Sequence, residues 1–224
     1  MIITRRSAVF GIGVGMGGLI ALPRNAVAAP ALASTGLPPT PMEMMGPFYP
    51  LRRLAEDDAD LAHLAGHSKA AKGQLIEVYG RVVRPDGSPV AGATVSLWQA
   101  NAAGRYMHPS DRNPAPLDPD FQGFGQLRTG RGGDYRFVSV KPGQYPTPQG
   151  LVRTPHLHFE VTGAQYRLVT QMYFPGEPLN DSDFLRSTLL ARQFDPATVT
   201  AARADSHVDG ALGYRWDIVL LEPA

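Results

Sequence analysis

Residues 153–163 read RTPHLHFEVTG, and the alternation in that stretch decides the class of fold. In an extended strand, alternate side chains share a face. His156, His158 and Glu160 therefore point one way and Leu157 the other. Arg153 and Pro155 stand just before the strand begins, which places its start at the edge of a site.

Working outward, the same period-2 texture recurs. LIEVYGRVV (75–83) alternates, and RPDGSPVAGATVSLWQA supplies an Asp-Gly turn at 86–87 followed by a strand ending at Trp98. GGDYRFVSV (132–140), YRLVTQMYF (166–174) and YRWDIVLL (214–221) are further strand candidates, each rich in Val, Tyr, Phe or Thr and bounded by Gly, Pro or Asp. Helical propensity is confined to DSDFLRSTLLARQ (181–193) and PATVTAARA (196–204), with a possible short helix or loop at 58–72 carrying His63 and His67 as surface residues. Six or more short strands with long connections predict a mainly β protein. The expected form is an antiparallel β-sandwich core with long active-site loops and one or two short helices. The stretch 101–131 shows little strand pattern, and a loop of that length inside a domain is more often functional than idle.

The 224 residues suffice for one domain with a substantial core. Net charge is +1, which removes any electrostatic reason to expect a nucleic-acid partner. There is no cysteine, so disulfides and thiolate metal sites are excluded, and a metal would need nitrogen and oxygen ligands.

Residues 1–28 read as an export signal. Arg5 and Arg6 precede the apolar run AVFGIGVGMGGLIAL, and AVA closes the segment at 26–28. The paired arginines and glycine-rich middle predict the twin-arginine route to the bacterial periplasm or exterior. Retention as a membrane anchor is the rival reading, against which the run falls short of the ~20 residues a span needs. Residues 29–74 are expected to form an extended N-terminal segment with a short helix, and 75–224 the catalytic domain.

His156 and His158 leave three readings open: decoration, zinc or iron. A zinc site would add Glu160 and imply a hydrolase. An iron site would draw on Tyr106 and Tyr145, each in a loop rich in Gly or Pro, because a trivalent cation can deprotonate a phenol. A non-enzymatic β-sandwich binding module is the third class, carried by GSPVAGATVSLWQ.

Six stretches, GRYMHPSD, LDPDFQGFG, GDYRFVSVKPGQYP, RTPHLHFEVTG, TQMYF and YRWDIVL, together with the early GPFYP, resemble the intradiol ring-cleavage dioxygenases. Within that family they are most similar to the iron-carrying subunit of protocatechuate 3,4-dioxygenases. The likeness runs from about residue 46 to 221 in the family's order. It implies non-haem Fe(III) held by Tyr106, Tyr145, His156 and His158, with catecholic small molecules and O₂ as substrates and muconate-type diacids as products. It also implies a charge-stabilising role for Arg153, an oxygen-side role for Gln171, and pocket positions at Gly46, Pro47 and Tyr173. Thr147 stands where the protocatechuate enzymes carry an aromatic residue, and the segment from Tyr145 to Arg153 is short, which predicts a more open pocket wall. A homo-oligomer is possible on this likeness.

Overall fold

The computed structural model describes residues 36–51 and 57–221. The proposed export signal lies outside them. Alternation becomes strand wherever one face can be buried. The strands are Leu75–Val83 (β1), Thr94–Trp98 (β2), Phe124–Arg128 (β3), Asp134–Val140 (β4), Tyr145–Pro146 (β5), Val152–Arg153 (β6), His156–Thr162 (β7), Arg167–Tyr173 (β8), Ala202–Ala204 (β9), Leu212–Arg215 (β10) and Ile218–Val219 (β11). One α-helix, Phe184–Ala191 (α1), lies between β8 and β9.

Two sheets enclose the core. The first runs β3-β2-β7-β8 and is antiparallel throughout. The second is mixed, because β1 pairs antiparallel with β4 but parallel with β10 and β11. That parallel pairing departs from the purely antiparallel sandwich expected. Leu157, Phe159 and Val161 of β7 meet Val78, Phe137 and Trp216 between the sheets. Phe159 packs edge-on against Phe137 at 6.2 Å and Trp216 at 5.2 Å. The opposite face of β7, with His156 and His158, is buried too, beneath loops rather than a sheet. Burial on both faces is why the site can be dry.

Four local expectations are corrected. Residues 58–72 contain no helix. Asp58 and Asp60 side chains capture the backbone N–H groups of Asp60 and Ala62, and Leu61 N–H donates to Val138 O, so turns pinned to β4 win over helix. The 196–204 helix is reduced to the 3₁₀ turn Pro196–Thr198. Val199 O and Ala201 N–H then pair with Tyr173, and Ala202–Ala204 joins a sheet. The 101–131 loop carries β3 at its end. The single strand expected at 214–221 is broken at Trp216 and Asp217. Trp216 N–H donates to Tyr79 O, Asp217 Oδ1 accepts from Arg81 N–H, and a Cβ on Gly80 would sit 1.9 Å from Trp216 O. α1 forms as expected within 181–193, capped by Asp183, whose Oδ1 accepts from Leu185 and Arg186 N–H.

Candidate functional site

The site is assembled on the outer face of β7. Register places His158 opposite Gln171 and Trp98, and His156 opposite Tyr173. Trp98 stacks on the His158 ring at 4.9 Å and 11°, fixing its plane. His156 Nδ1 lies 2.7 Å from Thr154 O, so its one ring proton is spent there and Nε2 presents a lone pair.

Two loops bring the phenols. Asn101 Oδ1 accepts from Ala103 and Arg105 N–H, and Asp111 Oδ2 accepts from Tyr106 N–H at 2.7 Å, folding the 101–111 loop tightly. Gly104 has φ +81°, and a Cβ there would come within 2.2 Å of Gln144 O, so glycine lets this loop touch the one bearing Tyr145. Tyr145 pairs across the β5–β6 ribbon with Arg153, so this short hairpin presents both side chains together.

Four side-chain atoms converge as a result. His156 Nε2 is 3.2 Å from His158 Nε2, which is 3.0 Å from Tyr106 Oη, and Tyr145 Oη is 3.4 Å from His156 Nε2. Separations of this size are those of atoms sharing a centre about 2.0–2.2 Å from each. All four residues are buried. Burial, reinforced by the Arg153 charge, holds the His156 pKa well below the ordinary value; His158 is lowered by burial, then by His156 and Arg153. Burial also pushes both phenols up. The protein alone thus offers two neutral imidazoles and two phenols, a nitrogen–oxygen set suited to a hard cation.

Beside the cluster, a chain of contacts holds Arg153. Its Nε donates to Asp183 Oδ2 at 2.8 Å and its Nη2 to Gln171 Oε1 at 2.7 Å. Burial opposes its charge, yet Tyr145 and Asp183 hold its pKa above that of an ordinary arginine. The N-terminal segment crosses above as a strap, with Thr40 N–H on Val219 O and Glu43 N–H on Val169 O. Gly46, at φ +75°, leaves 3.3 Å between a would-be Cβ and His158 Cε1, and Phe48 lies 4.7 Å from the Tyr106 ring.

A cavity of about 430 Å³ opens onto the cluster. Tyr145, His158, Arg153 and Gln171 line its inner part, and Gly46, Pro47 and Thr147 its walls. Tyr173 does not line it. Its hydroxyl donates to Glu43 Oε2 at 2.9 Å instead, which corrects the pocket role expected for it. Glu160, on the same face as the histidines, accepts from Tyr49 Oη at 2.8 Å and from Arg167 Nε, so it is not the third member of a His-His-Glu set. Sequence reasoning missed Asp183 and Glu43. Asp183 carried a signal as the residue before a helix, but nothing local marks its second contact.

The Dioxygenase_C family model, a dioxygenase family, matches residues 44–222. The protocatechuate 3,4-dioxygenase beta chain of Burkholderia cepacia is 42% identical over 185 residues, covering 80% of this chain and 77% of that one. The hydroxyquinol 1,2-dioxygenase of Rhizobium sp. is 31% identical over 192 residues, covering 78% of this chain, which spans 61% of that enzyme. Among solved structures, the dioxygenase domain of a dioxygenase carbohydrate-binding protein fusion from Streptomyces sp. SirexAA-E superposes with a TM-score of 0.61 at 27% identity, covering 82% of this chain and 98% of that one. The chain belongs to the intradiol ring-cleavage dioxygenases.

Proposed function

We propose that Tyr106, Tyr145, His156 and His158 hold one non-haem Fe(III) ion, and that the protein uses it with O₂ to cleave catechol-type aromatics between the two hydroxylated carbons, giving muconate-type diacids. The observation that carries this reading is the convergence of four buried donor atoms at the inner end of an open cavity. When bound, the ion would supply Lewis acidity toward the catechol oxygens and orient both reactants.

The protein's own groups do the rest. Tyr145 lines the cavity whereas Tyr106 does not, so Tyr145, which the ion would hold as a tyrosinate, is the residue placed to take a proton from an entering catechol hydroxyl. Arg153, immobilised by Asp183 and Gln171, presents a fixed positive charge where negative charge develops, and in a dry site such a contact is worth most. Gln171, opposite His158 in the sheet, lines the cavity beside Arg153 and would border an entering ring there. Purified protein with full iron content should absorb in the visible from tyrosinate-to-iron charge transfer. Tyr106→Phe should shift that band and cut turnover. A colourless iron-loaded protein would refute the ligand set.

We propose further that residues 1–28 direct export by the twin-arginine route, which suits a chain that folds around its metal first. Replacing both Arg5 and Arg6 by Lys should leave the enzyme in the cytoplasmic fraction, and unchanged secretion would refute this. Assembly into an oligomer is consistent with relatives named as the beta chain of protocatechuate 3,4-dioxygenase in Burkholderia cepacia and the alpha chain in Pseudomonas putida.

A further inference from the structure

The cavity is graded. Its inner end is polar, with Tyr145, His158, Arg153 and Gln171. Its outer walls are Met44, Pro146, Pro148, Phe184 and Leu185, and at the mouth Met44 is 64% and Phe184 39% exposed. Leu151 and Val152 extend the exposed apolar rim. Isolated surface apolar residues need no explanation, but several converging on the mouth of one cavity mark a binding surface.

Size adds to this. About 430 Å³ falls in the ~300–1,000 Å³ range of sites that enclose drug-sized ligands. A lone six-membered ring with its oxygens at the four-atom cluster would leave the outer part unfilled. Thr147, half-buried on that wall, adds only a small side chain to it.

Charge decides the character of whatever fills it. Among the described lining residues Arg153 is the one cation, and its guanidinium is already shared between Asp183 and Gln171 at the inner end. A carboxylate on the ring edge remote from the hydroxyls would lie among Pro146, Pro148, Phe184 and Leu185, with Ser110, Thr147 and Gln149 as uncharged polar neighbours, and so would lack a charged partner, which is costly.

Resting on the proposed ring cleavage, we propose that the site prefers catechols whose far ring edge carries an extended, uncharged, apolar substituent of three or more carbons, over catechols with a ring carboxylate. The reaction needs no further reactant. The carbon–carbon bond between the oxygenated carbons breaks, both atoms of one O₂ enter the product, and the substituent is retained on the diacid.

The test is oxygen uptake by the iron-loaded protein with catechol, 4-butylcatechol and protocatechuate. Each buried methylene contributes about fourfold. 4-Butylcatechol should therefore exceed catechol at least tenfold in kcat/KM, and protocatechuate should fall at least tenfold below it. Gln149→Arg, at the exposed tip of the hairpin and on the cavity wall, should raise the protocatechuate-to-butylcatechol ratio at least fivefold. Turnover of catechol with protocatechuate equal or better, or with no gain from the butyl chain, overturns this inference and leaves the ring cleavage standing. An unchanged ratio in Gln149→Arg overturns the assignment of the outer wall. Absence of uptake with all three overturns both readings.

Discussion

Asp183→Asn separates two roles in one carboxylate. Its Oδ1 caps α1, and asparagine caps as well as aspartate, so that contribution is retained. Its Oδ2 accepts from Arg153 Nε and from Thr154 N–H, at 2.8 and 3.0 Å. An amide nitrogen in that place faces two donors, leaving a guanidinium that is 5% exposed without its counter-charge. Breaking a buried pair from one side costs about 3–5 kcal/mol. For a domain of this size each kcal/mol moves Tm by ~2–4 °C, so the fall should be about 6–20 °C. Asp181→Asn is the internal contrast. It removes the charge that faces Arg186 at 3.3 Å, but Asp181 is 98% exposed and Arg186 keeps its bond to Asn180 O, so the loss should move Tm by no more than ~2 °C. Thermal melts of the two variants, followed by far-UV circular dichroism, make the comparison. kcat should also fall in Asp183→Asn, because Arg153 loses the contact that aims it. The reasoning fails if Asp183→Asn melts within ~3 °C of wild type, or if Arg153→Gln restores none of the loss in the double variant.

Three further outcomes are expected. Gly46→Ala should lower stability by about 1–2 kcal/mol, because φ is +75°, and should lower kcat by pressing Cβ toward His158; unchanged kcat would show that the strap does not bear on the imidazole. Glu43 is raised by burial from 4.5 to about 7, so the fold favours its protonated form. Its contribution is fully present below pH 4.5 and lost as pH rises through 7, at most about 3 kcal/mol, and Glu43→Gln should flatten that decline in urea titrations at pH 5 and 8, whereas parallel curves for the two proteins would disprove it. Trp98→Leu should loosen His158 and speed iron loss to a chelator by about 10–100-fold, with Trp98→Phe intermediate; equal rates would remove Trp98 from the support of the site.

Much of the fold was legible because period 2 is a local signal, and β7 obeys it on both faces. What escaped was decided at long range. Val199 and Ala201 pair with Tyr173, and that tertiary ladder outbids the helical propensity of 196–204. The break at Trp216 depends on Gly80, far earlier in the chain, admitting a carbonyl where any side chain would collide. The site divides in the same way. Tyr106, Tyr145, His156 and His158 each sit in a recognisable stretch, whereas Glu43 has meaning only through Gln171 and Tyr173, more than a hundred residues away.

Parity along a strand fixes a face but not a meeting point, and β7 makes the difference plain. Alternate residues are spaced about 6.6 Å apart along a strand, so His158 begins equally far from His156 and from Glu160. Yet the two imidazole Nε2 atoms stand 3.2 Å apart, while the Glu160 carboxylate is turned to Tyr49 and Arg167. The neighbours make the choice. Thr154 O holds one side of His156, the Trp98 plane holds His158 against it, and Arg167, across the ladder toward the strand's far end, draws Glu160 away. A carboxylate so neutralised leaves the histidine pair to be completed by the loops, and these carry phenols. The selection of a phenol-and-imidazole donor set over a carboxylate-and-imidazole one is therefore made outside the strand, by one arginine on β8 and by the glycine at 104 that lets the two tyrosine loops touch.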